Sequence, residues 1–174
     1  MLRGQNMLNP FKKRSATGST STRTADVAGT TPAVYFDALA NQLQQSAGSL
    51  GPDSIANIKS ALAPFAKMGA DIDKQIGQVK FELDLSGKPA KITMRTTVGG
   101  QIFGPVTSFA ITATGPNVLR VVASVSTPPA SGMMGKLLNA GIERQVRSGI
   151  GETIDPLLAG AAHACAASIS FPTP

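Results

Sequence analysis

Apolar and polar residues alternate from Val79 onward: Val79, Phe81, Leu83 and Leu85 interleave with Lys80, Glu82, Asp84 and Ser86. A period of two puts one set of side chains on a core and the other in water, the pattern of a half-buried strand. Ser86-Gly87-Lys88-Pro89 supplies turn chemistry, and Ile92, Met94, Thr96 and Val98 then resume the alternation, so the two segments are predicted to form a hairpin. Beyond Gly99-Gly100 and Gly104-Pro105, Phe109, Ile111 and Ala113 alternate with Ser108, Ala110, Thr112 and Thr114. Gly115-Pro116-Asn117 makes another turn, and Leu119, Val121, Ala123 and Val125 mark a fourth strand. Short turns between consecutive strands predict an antiparallel meander.

Helical spacing flanks these strands. Phe36, Leu39 and Leu43 form one apolar stripe, opened by Thr31-Pro32 as cap and first helical residue and closed near Ala47-Gly48. Ile55, Ile58, Leu62 and Phe65 repeat the spacing after Gly51-Pro52-Asp53, with Pro64 shortening the last turn and Gly69 ending it. From Met133 the apolar residues return every four positions as Met133-Met134, Leu137-Leu138, Ile142, Val146, Ile150, Ile154 and Leu157-Leu158. Lys136, Glu143, Arg144, Arg147 and Glu152 lie opposite, which predicts a long amphipathic helix over Lys136 to Leu158, with Asp155-Pro156 as an expected break. The fold class is therefore α+β: an antiparallel meander sheet of four strands or more, packed by a long C-terminal helix, with two shorter N-terminal helices.

Composition refines the boundaries. Ser15 to Thr31 is mostly Ser, Thr, Gly and Ala, which buries too little apolar surface to offset the entropy of ordering. The expected organisation is a flexible basic Ser/Thr-rich arm at 1–30, a single α+β domain at 31–163 and an extended C-terminal tail at 164–174. The net charge of +6 belongs mostly to the arm, where five bases face one acid; the rest of the chain holds eleven bases and nine acids. A folded unit so nearly neutral lacks the basic face that nucleic acid requires. Phe11, Lys12, Lys13 and Arg14 join an apolar side chain to three positive charges and suit contact with a partner or an anionic surface. No stretch is long and apolar enough for a membrane span, and the Lys12-Lys13-Arg14 cluster is followed by Ser, Thr and Gly rather than by an apolar signal-peptide core. A soluble protein, cytoplasmic or within an assembled particle, is expected.

Candidate chemistry is sparse. His163 is the single histidine and stands between alanines, without the positioned partner that acid–base or triad chemistry needs. Asp71 and Asp73 lack the further oxygen ligands of a calcium loop. Gly99-Gly100 falls between strands, the wrong context for a phosphate loop. Cys165, the lone cysteine, reads as a small buried hydrophobe in an alanine-rich segment. Aromatics make up 5% of the chain and Trp is absent, which argues against base stacking on the sheet. No catalytic residue, cofactor or metal site is expected.

The fourth strand, Leu119 to Ser126, the Pro128-Pro129 and Gly132–Gly135 break, and the long helix Lys136 to Leu158 together resemble the helix-grip, START-like lipid-binding superfamily. The resemblance covers Val79 to Leu158 and implies a helix closing a curved antiparallel sheet over an apolar cavity. Phe81, Met94, Phe109, Met134 and Leu138 would line it.

Two functions follow from these features. The first is a non-catalytic structural or interaction protein, a homo-oligomeric subunit of an assembly such as a virus particle or surface layer. The second is a carrier of a small hydrophobic, lipid-like ligand. The first draws on the arm and on a sheet half almost without charge. Between Val106 and Ser126, Arg120 is the single charge, beside Ser108, Thr112 and Thr114. A strand surface without charge has little guard against other chains, so this half is expected to be covered, by the early helices or by another subunit.

Overall fold

The computed structural model describes residues 20–48, 60, 63, 74, 77–98, 101–102, 104–127 and 149–173. The strands are β1 (Thr20–Ala28), β2 (Val79–Asp84), β3 (Lys91–Val98), β4 (Gln101–Ile102), β5 (Val106–Gly115), β6 (Val118–Ser126) and β7 (Ser168–Ser170). Helix α1 (Pro32–Gly48) follows β1, and helix α2, described over residues 149–164, precedes β7. The pairings are antiparallel, and the sheet runs β2-β3-β5-β6-β1-β7 with β4 paired to β3.

The α+β class agrees with the sequence, and β2, β3, β5 and β6 lie side by side in chain order. The whole sheet is not a meander. Its interior strand β1 comes from residues expected to be a flexible arm, and it lies between β6 and β7. β1 pairs with β6 along its whole length, from Thr20↔Ser126 to Ala28↔Val118, and Ala25 and Val27 are fully buried. Its threonines are β-branched and suit a pleated strand. Composition alone suggested disorder because the partner lies far away in sequence.

The C-terminal boundary shifts for a similar reason. Residues 168–170, expected in an extended tail, pair as β7 with Asp26, Val27 and Ala28. The chain turns back to β1 through a left-handed cap: Ala166 has φ 53°, its N–H donates to the His163 carbonyl at 3.1 Å, and the Ala167 N–H donates to the Ala162 carbonyl at 2.9 Å. That pair of bonds is the Schellman arrangement that satisfies the last carbonyls of a helix.

α1 forms where its cap and stripe predict. The Tyr35 N–H donates to the Thr31 carbonyl at 3.0 Å, and Pro32 occupies the first helical position, where a missing N–H is harmless. Tyr35, Phe36, Leu39, Ala40 and Leu43 are buried. Of the second expected helix, Ser60 and Ala63 are helical and the rest lies outside the described residues. The N-terminal part of the long C-terminal helix, through residue 148, also lies outside them. Its described part does not break at Asp155-Pro156 but continues to residue 164, with Ile154, Leu158, Ala161 and Ala162 buried.

Register separates the two faces of the sheet. Ile92, Phe109, Ala123 and Arg23 lie on one line across β3, β5, β6 and β1, and Ile111, Val121 and Ala25 lie on the next. This is the inner face, and both helices pack on it. Helix meets helix through the Tyr35 hydroxyl, which donates to the Leu158 carbonyl at 3.0 Å, and through Gly160, where an added Cβ would stand 3.1 Å from the Gln42 amide. Arg23 is the one charged residue on the inner side of β1; it reaches Asp155 of α2 and lies 5.1 Å from the centre of the Phe171 ring.

Candidate interaction surface

The opposite face of the sheet carries no described helix. Its lines follow from register: Thr22, Ser124, Ser108 and Thr93 form a rank of hydroxyl side chains across β1, β6, β5 and β3. The next rank is Thr24, Val122, Ala110 and Lys91, and the next is Asp26, Arg120 and Thr112. Adjacent members of a rank stand about 4.8 Å apart, the spacing of neighbouring strands. The Arg120 guanidinium donates to both Asp26 carboxylate oxygens, at 2.7 and 3.0 Å, so the charge on the β1 and β6 part of this surface is neutralised within it, while Lys91 adds a positive charge on β3. Those bonds hold the Asp26 carboxyl below its ordinary range.

Sequence alone placed Ser108, Thr112, Thr114 and Arg120 together here, and the structure puts Ser108 half-buried and the other three exposed. The expectation that the early helices cover this half is not met by α1, which lies on the inner face. Phe11, Lys12, Lys13 and Arg14 lie outside the described residues. Thr22, Thr93 and Asp26 went unrecognised because they join the surface only through cross-strand register. The signal available for β1 was the alternation of Thr20, Thr22 and Thr24.

Charge increases toward β2. Arg95 Nε donates to Glu82 Oε2 at 2.7 Å across β3 and β2, and the Thr97 hydroxyl donates weakly to the other Glu82 oxygen at 3.4 Å. Asp84 accepts hydrogen bonds from the Ser86 N–H and hydroxyl at 3.0 and 2.6 Å, which hold its carboxyl below the ordinary range. Lys80 makes no ion pair among the described residues.

The residues expected to line one ligand cavity are not brought together. Phe109 is fully buried between the sheet and the helices, whereas Phe81 is 36% exposed near the far edge. Phe81 pairs with Thr96 and Phe109 with Ile92, so four residues of β3 and two strand spacings separate them, about 16 Å. Met94 is half-buried between Leu83 and Thr107, while Met134 and Leu138 lie outside the described residues. A groove of about 470 Å³ does exist, but elsewhere: Val34, Ala38, Asn41, Gln42 and Gln45 of α1 line it with Ala164 and Cys165. The Cys165 thiol donates to the Ala161 carbonyl at 3.1 Å, and His163 is exposed. Among the described residues, no three metal-binding side chains cluster, and no helix is long and apolar enough to cross a membrane.

No protein-family model matches the chain, and no curated protein matches it. Among solved structures the chain is similar to an HSP90 activator from Plasmodium falciparum. The identity is 15% and the TM-score 0.49, over 88% of this chain and 100% of that one. At this identity no residue role carries across.

Proposed function

We propose that this chain is a non-catalytic interaction protein, a subunit of a larger assembly such as a virus particle or surface layer. Its contacts run through the outer face of β5, β6 and β1 and through the basic arm around Phe11, Lys12, Lys13 and Arg14. The observation that carries this reading is an outer face on which no helix lies among the described residues: exposed Ala110, Thr112 and Thr114 beside a charge pair, Arg120–Asp26, that closes on itself. A face of small hydroxyl and methyl side chains can be buried where a partner supplies hydrogen bonds to the hydroxyls, and its ion pair on β1 and β6 needs no outside partner.

Replacing the exposed Ala110 with Arg tests the reading. Far-ultraviolet circular dichroism stays as in the parent and Tm falls by only a few degrees, the new charge standing opposite Lys91, while the variant drops out of the native assembly in sedimentation. Unchanged co-sedimentation of the variant, or a parent chain that sediments alone in extracts of its source, sinks the proposal.

One observation favours a second reading. Phe81, Leu83 and Met94 form an apolar strip on the inner face that stays partly uncovered. A hydrophobic, lipid-like ligand bound there fits the resemblance to helix-grip domains. Native mass spectrometry of gently purified chain would then show a monomer carrying an extra few hundred daltons; a bare chain would reject it.

A further inference from the structure

The two edges of the sheet are built differently. β7 has three residues and is followed at once by Phe171 and Pro172, and proline offers no N–H to a further strand. β2 has six residues, Val79-Lys80-Phe81-Glu82-Leu83-Asp84, with neither proline nor an inward-facing charge. Among the described residues it pairs with β3 alone, so one row of its backbone N–H and C=O groups has no strand partner among them. A large aromatic ring, Phe81, stands partly exposed at the middle of this edge.

We propose that two copies of this chain join edge to edge through β2, antiparallel, with a two-fold axis at Phe81. This register keeps inner face with inner face, which a slip of one residue would not. It places Phe81 opposite Phe81 of the second copy, a cross-strand aromatic pair on the inner side. On the outer side it places Lys80 opposite Glu82 of the copy, and Glu82 opposite Lys80. The two contacts are equivalent, as an isologous interface requires. Moving the axis to Glu82 would form two Lys80–Asp84 pairs but set two Glu82 carboxylates against each other at the centre, and moving it to Leu83 would oppose Glu82 to Asp84 with no compensating pair; the Phe81 centre alone gives attractive pairs without a like-charge contact. Charge complementarity therefore selects Phe81 from the three neighbouring centres. Lys80, which has no ion-pair partner within its own chain among the described residues, gains one. The contact is distinct from the outer-face surface and stands whether or not that reading holds.

Complementary charge variants of the full chain test it by analytical ultracentrifugation. The parent sediments as a dimer. Lys80→Glu opposes Glu82 with like charge at two equivalent places and weakens the dimer roughly tenfold or more; Glu82→Lys does the same by opposing Lys80. A mixture of the two variants restores both attractive pairs and reforms a dimer. In a Cys165→Ser background, F81C crosslinks to itself on mild oxidation, because directly opposed antiparallel residues have Cα atoms about 4.5 to 5.5 Å apart, within disulfide range. K91C in the same background does not. A monomeric parent, a dimer undisturbed by Lys80→Glu, or a mixture that stays monomeric overturns the proposal. A dimer lost with Ala110→Arg but kept with Lys80→Glu moves the contact to the outer face and also overturns it.

Discussion

Arg23 grips Asp155 with two parallel hydrogen bonds, Nε to Oδ1 at 2.8 Å and Nη2 to Oδ2 at 2.6 Å, between residues 132 apart in the chain. The fork matches carboxylate geometry in a way lysine does not. The pair ties β1 to α2, and Phe171 beside Arg23 brings in the segment after β7. Arg23→Met and Asp155→Asn are each expected to lower Tm by a few degrees. The double variant loses less than the sum, because each single change already removes the shared contact. Additive losses in a thermal double-mutant cycle would show that the two residues act separately.

Tyr35 offers a direct optical readout, as the single tyrosine in a chain without tryptophan. Burial pushes its phenol pKa well above the ordinary 10.0. A raised pKa contributes stability that is complete below the unfolded value and drains away as pH rises. The phenolate absorbance is therefore expected to appear only together with loss of circular dichroism at alkaline pH. Titration near pH 10 in the folded protein would contradict this. Tyr35→Phe loses the bond to Leu158 and is expected to cost about 1 kcal/mol.

Acid acts through Asp26 and Asp84, whose carboxyls are held below the ordinary 3.8 chiefly by Arg120 and by Ser86 respectively. Such groups stabilise the fold above the unfolded pKa, and the contribution is lost as pH falls through the lower folded value. In Tm measured against pH, Asp26→Asn is expected to be less stable than the parent at neutral pH and to converge with it below about pH 3. A constant gap across the acid range would be inconsistent with that linkage.

Ala166 sits at φ 53°, in the left-handed region where a Cβ is crowded. Ala166→Gly is expected to raise stability by about 1 kcal/mol, read as a higher denaturant midpoint, because glycine fills this cap position without strain. A fall in midpoint would mean that the exposed methyl contributes more than the strain costs.

A fragment cut at the sequence-derived limits, 31–163, lacks β1 and β7. It is expected to lose cooperative unfolding, since β6 would have an open edge in place of the β1 pairing and the core would lose Ala25 and Val27. A sharp thermal transition for this fragment would show that β1 is dispensable.

The sequence by itself determined several features that depend on neighbours a few residues apart, though not the helix through Asp155-Pro156. The alternation of Phe81 and Leu83 with Lys80 and Glu82, the turn at Gly115-Pro116-Asn117, and the Thr31-Pro32 start of α1 are local, and each formed where expected. Only the tertiary structure decided the place of β1. Its inward positions include Ser21 and Arg23, which hide the period of two, and Arg23 becomes tolerable there only beside Asp155. The outer face was legible as a run poor in charge, through Ser108, Thr112, Thr114 and Arg120. Its extension to Thr22, Thr93 and Asp26 was not, because cross-strand register joins residues that no local window contains.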